Sequence, residues 1–211
     1  MNPALALEQL MLHPKLAQFA ELARAAMPTA LVDQVDAASD DAHQFMHAVA
    51  RHVGDESAQY AAAQDVPEWV RLTLLDAFTT WASGRGSTCR HQPTPDRPEP
   101  VLAAAWRPGL VACMRCAHLT GLPSGSAKDR TCDRCGRVCA GLEHGDGIHP
   151  GMVQLGPLIY QYGTCRDCRP STASDNPPSA TQTAEQAAPR GTGRVRPRGS
   201  RGRSRGKGGR R

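Results

Sequence analysis

Apolar residues recur at three- and four-residue steps through the first eighty positions, and beyond them the pattern shortens to brief runs. Leu16, Phe19, Leu22, Ala23 and Met27 fall on one helical face, with Pro14 suited to a first turn and Pro28 as an interruption. After Ser39, a second face gathers Ala42, Phe45, Met46, Val49 and Val53, with Gly54 as the stop. Asp65 and Glu68 form a capping-box pattern around Pro67, ahead of Val70, Leu74, Ala77, Phe78 and Trp81, and Gly84 closes that helix. Shorter helices are expected around residues 29–37 and 55–64. Burying these stripes against one another predicts a compact bundle of four or five helices over residues 1–84.

Past Gly84 the helical period is lost. Residues 92–100 (QPTPDRPEP) carry four prolines in nine positions and predict an extended loop. Val101–Trp106, a turn at Arg107-Pro108-Gly109, and Leu110–Ala112 predict a hairpin that delivers Cys113. Residues 117–131 predict a polar connection. Residues 152–163 (MVQLGPLIYQYG) predict two strands, or one bent strand broken at Gly156-Pro157, leading into Cys165. Short hairpins feeding paired cysteines suit zinc-ribbon or treble-clef modules, which lack an ordinary core. The expected class is α+β: a helical bundle, a metal-stabilised hairpin region over 85–168, and a tail over 169–211. That tail runs through Pro, Ser, Thr, Gln and Ala into Arg/Gly repeats, with too little apolar surface to repay its ordering, and predicts disorder.

Charge divides the same way. The net charge of +5 conceals −7 over residues 1–83, +3 over 84–168 and +9 over 169–211. An acidic head, a near-neutral middle and a cationic tail predict three separate roles. The first twenty residues lack a secretory pattern, because Glu8, His13 and Lys15 break any apolar run. No window reaches the roughly 20 apolar residues of a membrane span. A cytoplasmic protein without a membrane is the expectation, and in a reducing compartment clustered cysteines favour metal over disulfide. Only nine aromatic residues, three each of Phe, Trp and Tyr, predict modest cores that would gain from metal staples.

The chemistry lies in three Cys-x-x-Cys pairs within 56 residues: Cys113/Cys116, Cys132/Cys135 and Cys165/Cys168. Two thiols three positions apart grip one ion from a tight turn, and four such half-sites make two closed tetrahedral zinc sites. Cys89 and His91 are the candidate fourth half-site. Gly136, after the second cysteine of its pair, suits the left-handed corner of a knuckle. Three pairings are open. Sequential pairing, which is preferred, joins Cys89/His91 to Cys113/Cys116 and Cys132/Cys135 to Cys165/Cys168. Nested pairing joins the two central pairs, and a cross-brace alternates them. His118 is a possible replacement for His91, and Cys139 is the leftover thiol, while His144 and His149 read as loop residues. His43 and His47 lie one helical turn apart, a spacing that can hold a metal. Without a glutamate beside the first they lack the metalloprotease pattern, and they are expected to form a solvated polar face.

Enzymatic chemistry is not expected. The deaminase signature, a Walker loop, the dinucleotide fingerprint and Gly-x-Ser-x-Gly are all missing, and a metal with every position filled leaves none for substrate. No small-molecule substrate follows. Residues 190–211 carry ten cations (Arg190, Arg194, Arg196, Arg198, Arg201, Arg203, Arg205, Lys207, Arg210 and Arg211) and no acid. Such a segment can track nucleic-acid phosphates and stack on bases without reading sequence.

The stretches WRPGLVACMRCAHL, DRTCDRCGR and YGTCRDC resemble a group of small uncharacterised zinc-binding proteins of actinomycetes and their mobile elements. The resemblance spans roughly residues 81–168 and implies metal binding, with no activity attached. Three readings result. The first is a non-enzymatic zinc protein with two Zn2+ that contacts DNA or RNA as a transcriptional or mobile-element accessory factor. It would use Arg107, Arg115, Lys128, Arg130, Arg134 and Arg137 as a rigid basic surface. The second is a protein–protein adaptor whose acidic helical head binds a partner. The third is a thiol redox sensor built on Cys139.

Overall fold

A computed structural model describes residues 2–52 and 62–169. Among these residues four helices lead, α1 (Pro3–Met11), α2 (Leu16–Ala26), α3 (Thr29–His52) and α4 (Glu68–Ala82), followed by five strands. The strands are β1 (Ser87–Thr88), β2 (Val101–Ala104), β3 (Leu110–Cys113), β4 (His149–Leu155) and β5 (Leu158–Thr164). They form one mixed sheet in the order β1-β3-β2-β5-β4. The β2–β3 and β4–β5 pairs are antiparallel hairpins, and β2–β5 and β1–β3 are parallel. The α+β class holds.

Strand alternation sends neighbouring side chains to opposite faces, and both faces of this sheet are covered. On one, Leu74, Ala77 and Trp81 of α4 share a core with Val101, Ala103, Val111, Leu158 and Tyr160. On the other, Ala42 of α3 packs on Leu102 and Ile159, with Phe45 and Met46 beside it. Full burial of side chains such as Val101, Leu102, Leu158 and Ile159 contributes about 1.5–3 kcal/mol each. The expected boundary near Gly84 therefore runs directly behind a helix that shares its core with the sheet, and Met1–Pro170 makes one compact unit. The hairpin region has an ordinary core, where zinc-ribbon or treble-clef modules would have none. Helix α1 is tied to α4 by a buried ion pair, with Arg71 Nη2 donating to Glu8 Oε1 at 2.9 Å.

Two local expectations change. Helix α3 runs unbroken for 24 residues, where a break was expected near Ser39. The Ser39 hydroxyl donates to the Val35 carbonyl at 2.6 Å, so it is satisfied within the helix and does not cap a new one. The capping box also fails to form. Helix α4 starts at Glu68 with Pro67 at its N-cap and no side-chain cap, while Asp65 sits in a short 3-10 turn. At this end Arg71 donates to the Val66 and Ala63 carbonyls. Gly84 does close the helix, at φ 68°. The expected hairpin at 101–113 and the break at Gly156-Pro157 are both present, with Gly156 at φ 56°. The expected helix around 55–64 and the position of Val53 fall mainly on residues outside the description. The tail, including the ten candidate nucleic-acid contacts from Arg190 to Arg211, lies outside it too.

Candidate metal centres

The sheet sets the two cysteine clusters at its opposite ends. Val101 of β2 aligns with Cys113 on one side and with Leu158, the first residue of β5, on the other. Cys165 follows Thr164, the last residue of β5. At about 3.3 Å per residue the strand separates these ends by about 20 Å.

At the first end, Cys89, His91, Cys113 and Cys116 bring four ligand atoms within 4.8 Å of one another. The β2–β3 hairpin delivers Cys113, and a 3-10 turn places Cys116. Cys89 and His91 come from the loop after β1, in a turn closed by the Gln92 amide donating to the Cys89 carbonyl at 2.9 Å. Gln92 itself adopts φ 48°. The Cys89 and Cys113 sulfurs are 3.7 Å apart, and His91 Nδ1 lies 3.4 Å and 3.3 Å from the sulfurs of Cys113 and Cys116. At the second end, Cys132, Cys135, Cys165 and Cys168 converge in the same way, with 3.9 Å between the Cys135 and Cys165 sulfurs. The Gly136 amide donates to the Cys132 carbonyl at 2.8 Å, and Gly136 takes φ 73°, as the knuckle requires.

These separations fit a tetrahedral ion. Metal–sulfur bonds of about 2.3 Å at tetrahedral angles place sulfurs about 3.8 Å apart and a sulfur and nitrogen about 3.6 Å apart. The thiols also act as partners in a shared site. Burial pushes Cys89 up, but the amides of Cys113 and His91 outweigh it and hold the thiol down to about 7. Cys132 is held to about 7 against the same burial by the amides of Cys165, Cys135 and Arg134. Burial and the neighbouring sulfurs push Cys116 up to about 11 and Cys168 up to about 12. One thiol of each set ionises readily and another resists the accumulated negative charge. A dication in the centre lets all of them ionise together. Each quartet can thus hold one metal ion, joined by sequential pairing.

No protein-family model, curated protein or solved structure matches the chain.

Other residues anchor the second knuckle. The Asp133 amide donates to the Gly163 carbonyl at 2.9 Å, and the Gly163 amide donates back to Asp133 Oδ2 at 2.6 Å, which fastens the knuckle to β5. Burial raises the Asp133 carboxyl pKa, and the Gly163 amide opposes that rise. The sequence carried no signal for this link. Nor did it signal the bond from the Trp81 indole N–H to the Pro93 carbonyl, at 2.8 Å, which ties α4 to the loop behind Cys89 and His91.

The remaining candidates fall outside the quartets. His118 is exposed and joins neither. His144 is exposed beside Glu143, and His149 opens β4 and is not a loop residue. Cys139 is buried against Cys132 and Cys165, and burial pushes its thiol up. That environment suits an inert side chain better than a redox nucleophile. Of the six basic residues expected to form a surface, Arg115, Lys128 and Arg134 are exposed with no ion pair among the described residues. Arg137 pairs with Asp146 and Asp167, Arg130 is half-buried, and Arg107 donates to the Gly121 carbonyl at 3.3 Å. No described helix is long and apolar enough to cross a membrane.

Proposed function

We propose that the chain is a non-enzymatic protein that binds two structural Zn2+ ions and contacts nucleic acid through arginines carried on its metal knuckles and in its tail. The carrying observation is the pairing of two complete four-donor sets with an exposed arginine inside every half-site. These are Arg90 between Cys89 and His91, Arg115 before Cys116, Arg134 before Cys135 and Arg166 after Cys165. None of the four has an ion pair among the described residues, so each is available to a phosphate. Three thiolates with one imidazole, and four thiolates, are donor sets that zinc prefers. When bound, zinc would cross-link the sheet ends as a structural staple, with no ligand position left for substrate. The reading agrees with the metal binding that the resemblance over residues 81–168 implies.

The test is binding of single- and double-stranded DNA and RNA to the zinc-loaded full chain across a salt series. Each phosphate neutralised contributes a slope of about −0.7 to −0.9 in log K against log salt. Deleting residues 170–211 is expected to weaken binding and flatten that slope. Arg134→Glu with Arg166→Glu is expected to weaken it further while zinc content stays unchanged. Failure of the full chain to bind any of these nucleic acids at low salt overturns the reading.

A second reading, a protein adaptor, is favoured by one observation. No residue of α2 is buried; Phe19 and Leu22 on its apolar face are 37% and 62% exposed, and Met27 at its C-cap is 37% exposed. Phe19→Glu with Leu22→Glu would leave zinc and nucleic-acid binding intact and abolish a protein complex formed through that face.

A further inference from the structure

His43 and His47 do not form the solvated face expected from the sequence. Both are half-buried on α3, and their rings meet edge to face with centroids 4.3 Å apart. Their Nε2 atoms lie 2.8 Å apart as a hydrogen-bonded pair, one ring donating and the other accepting. Four residues of helix bring the two side chains over the same turn, so both can reach one ion without backbone movement. The core positions Ala42, Phe45 and Met46 fix the rotation of this helix against the sheet and hold both imidazoles on its flank.

The bite distance tells which ion suits the pair. With metal–nitrogen bonds of about 2.05 Å, two nitrogens 2.8 Å apart subtend an angle of about 86°. A tetrahedral ion would need them about 3.35 Å apart. The cysteine quartets have tetrahedral spacing, as their 3.7 Å and 3.9 Å sulfur separations show, whereas the histidine pair has the right-angle spacing of octahedral or tetragonal coordination. Imidazole nitrogen in that geometry favours Ni2+ and Cu2+. No third His, Cys, Asp or Glu among the described residues completes a cluster here.

We propose that His43 and His47 form a third metal site, a two-imidazole chelate for Ni2+ or Cu2+ that is separate from the cysteine quartets. The experiment titrates Ni2+ into the full chain carrying its zinc, with elemental analysis before and after. One Ni2+ binds per chain, zinc is retained, and His43→Gln and His47→Gln each weaken nickel binding by about tenfold or more. Backbone amide spectra of the unsubstituted protein read the site directly: paramagnetic broadening from Ni2+ centres on His43 and His47 even if a variant fails to fold. The proposal is overturned if the protein takes up no Ni2+, if both variants bind it as well as the parent, if Ni2+ enters only by displacing zinc, or if the broadening lies elsewhere.

Discussion

Replacing Trp81 with Phe tests whether α4, the sheet and the first metal centre are one cooperative structure. Trp81 is 3% exposed within the core shared by α4 and the sheet, and its indole N–H reaches the Pro93 carbonyl at 2.8 Å. Phenylalanine removes the donor and leaves that carbonyl without its partner, which costs about 1–3 kcal/mol. The smaller ring leaves unfilled space, at a cost of about 1–2 kcal/mol, less than the 3–5 of a full truncation. Together these give about 2–5 kcal/mol, or a fall of about 4–20 °C in the melting temperature of a chain this size. Pro93 lies two residues beyond His91, so a loosened loop should also surrender metal from the first centre to a chelator faster, with the second unaffected. The assay is thermal melting of the zinc-loaded protein by circular dichroism, beside chelator kinetics. A single transition shifted by that amount supports the shared core. A melt within about a degree of the parent, or two transitions of which only a helical one moves, would refute the reasoning.

Further outcomes follow from individual contacts. Glu8→Gln leaves the buried Arg71 charge uncompensated except by the Ala63 and Val66 carbonyls. It should lower stability by about 2–4 kcal/mol in urea unfolding, with the slope unchanged. Gly136→Ala meets no atom within 4 Å of its new Cβ, so its cost is the left-handed φ of 73° alone, about 1–2 kcal/mol by the same measurement. In zinc-free, reduced protein, Cys89 and Cys132 titrate near 7 when folded, against an ordinary value of 9.0. Their contribution is therefore complete above about pH 9 and lost as the pH falls through 7. That protein should melt at a lower temperature at pH 6 than at pH 8, and a melt independent of pH over this interval would contradict these directions.

Elements with their own local chemistry were legible in the sequence. Gly84 and Gly156 mark real corners, the hairpin at 101–113 and the Cys-x-x-Cys knuckles are local devices, and all eight proposed ligands fall into the two quartets. Sequential pairing was preferred from the sequence but not decided there, because spacing says nothing about which strand end faces which. It follows from β2 aligning with both Cys113 and Leu158, a relation between residues far apart in the chain. What the N-terminal helices pack against was hidden for the same reason. The stripe Leu74, Ala77 and Trp81 specifies an apolar partner without specifying whether it is a helix or a sheet. His43 and His47 had the spacing of a chelate, but only the side-chain geometry shows their nitrogens converging.

The central claim, two independent closed zinc centres at opposite ends of one sheet, is tested most directly by counting metal. Elemental analysis and native mass would be measured on the reduced full chain and on the Cys165→Ser/Cys168→Ser variant. The account predicts two zinc ions in the first and one in the second, with the remaining ion held by Cys89, His91, Cys113 and Cys116. Loss of both ions from the variant, or no zinc in the parent, would contradict it.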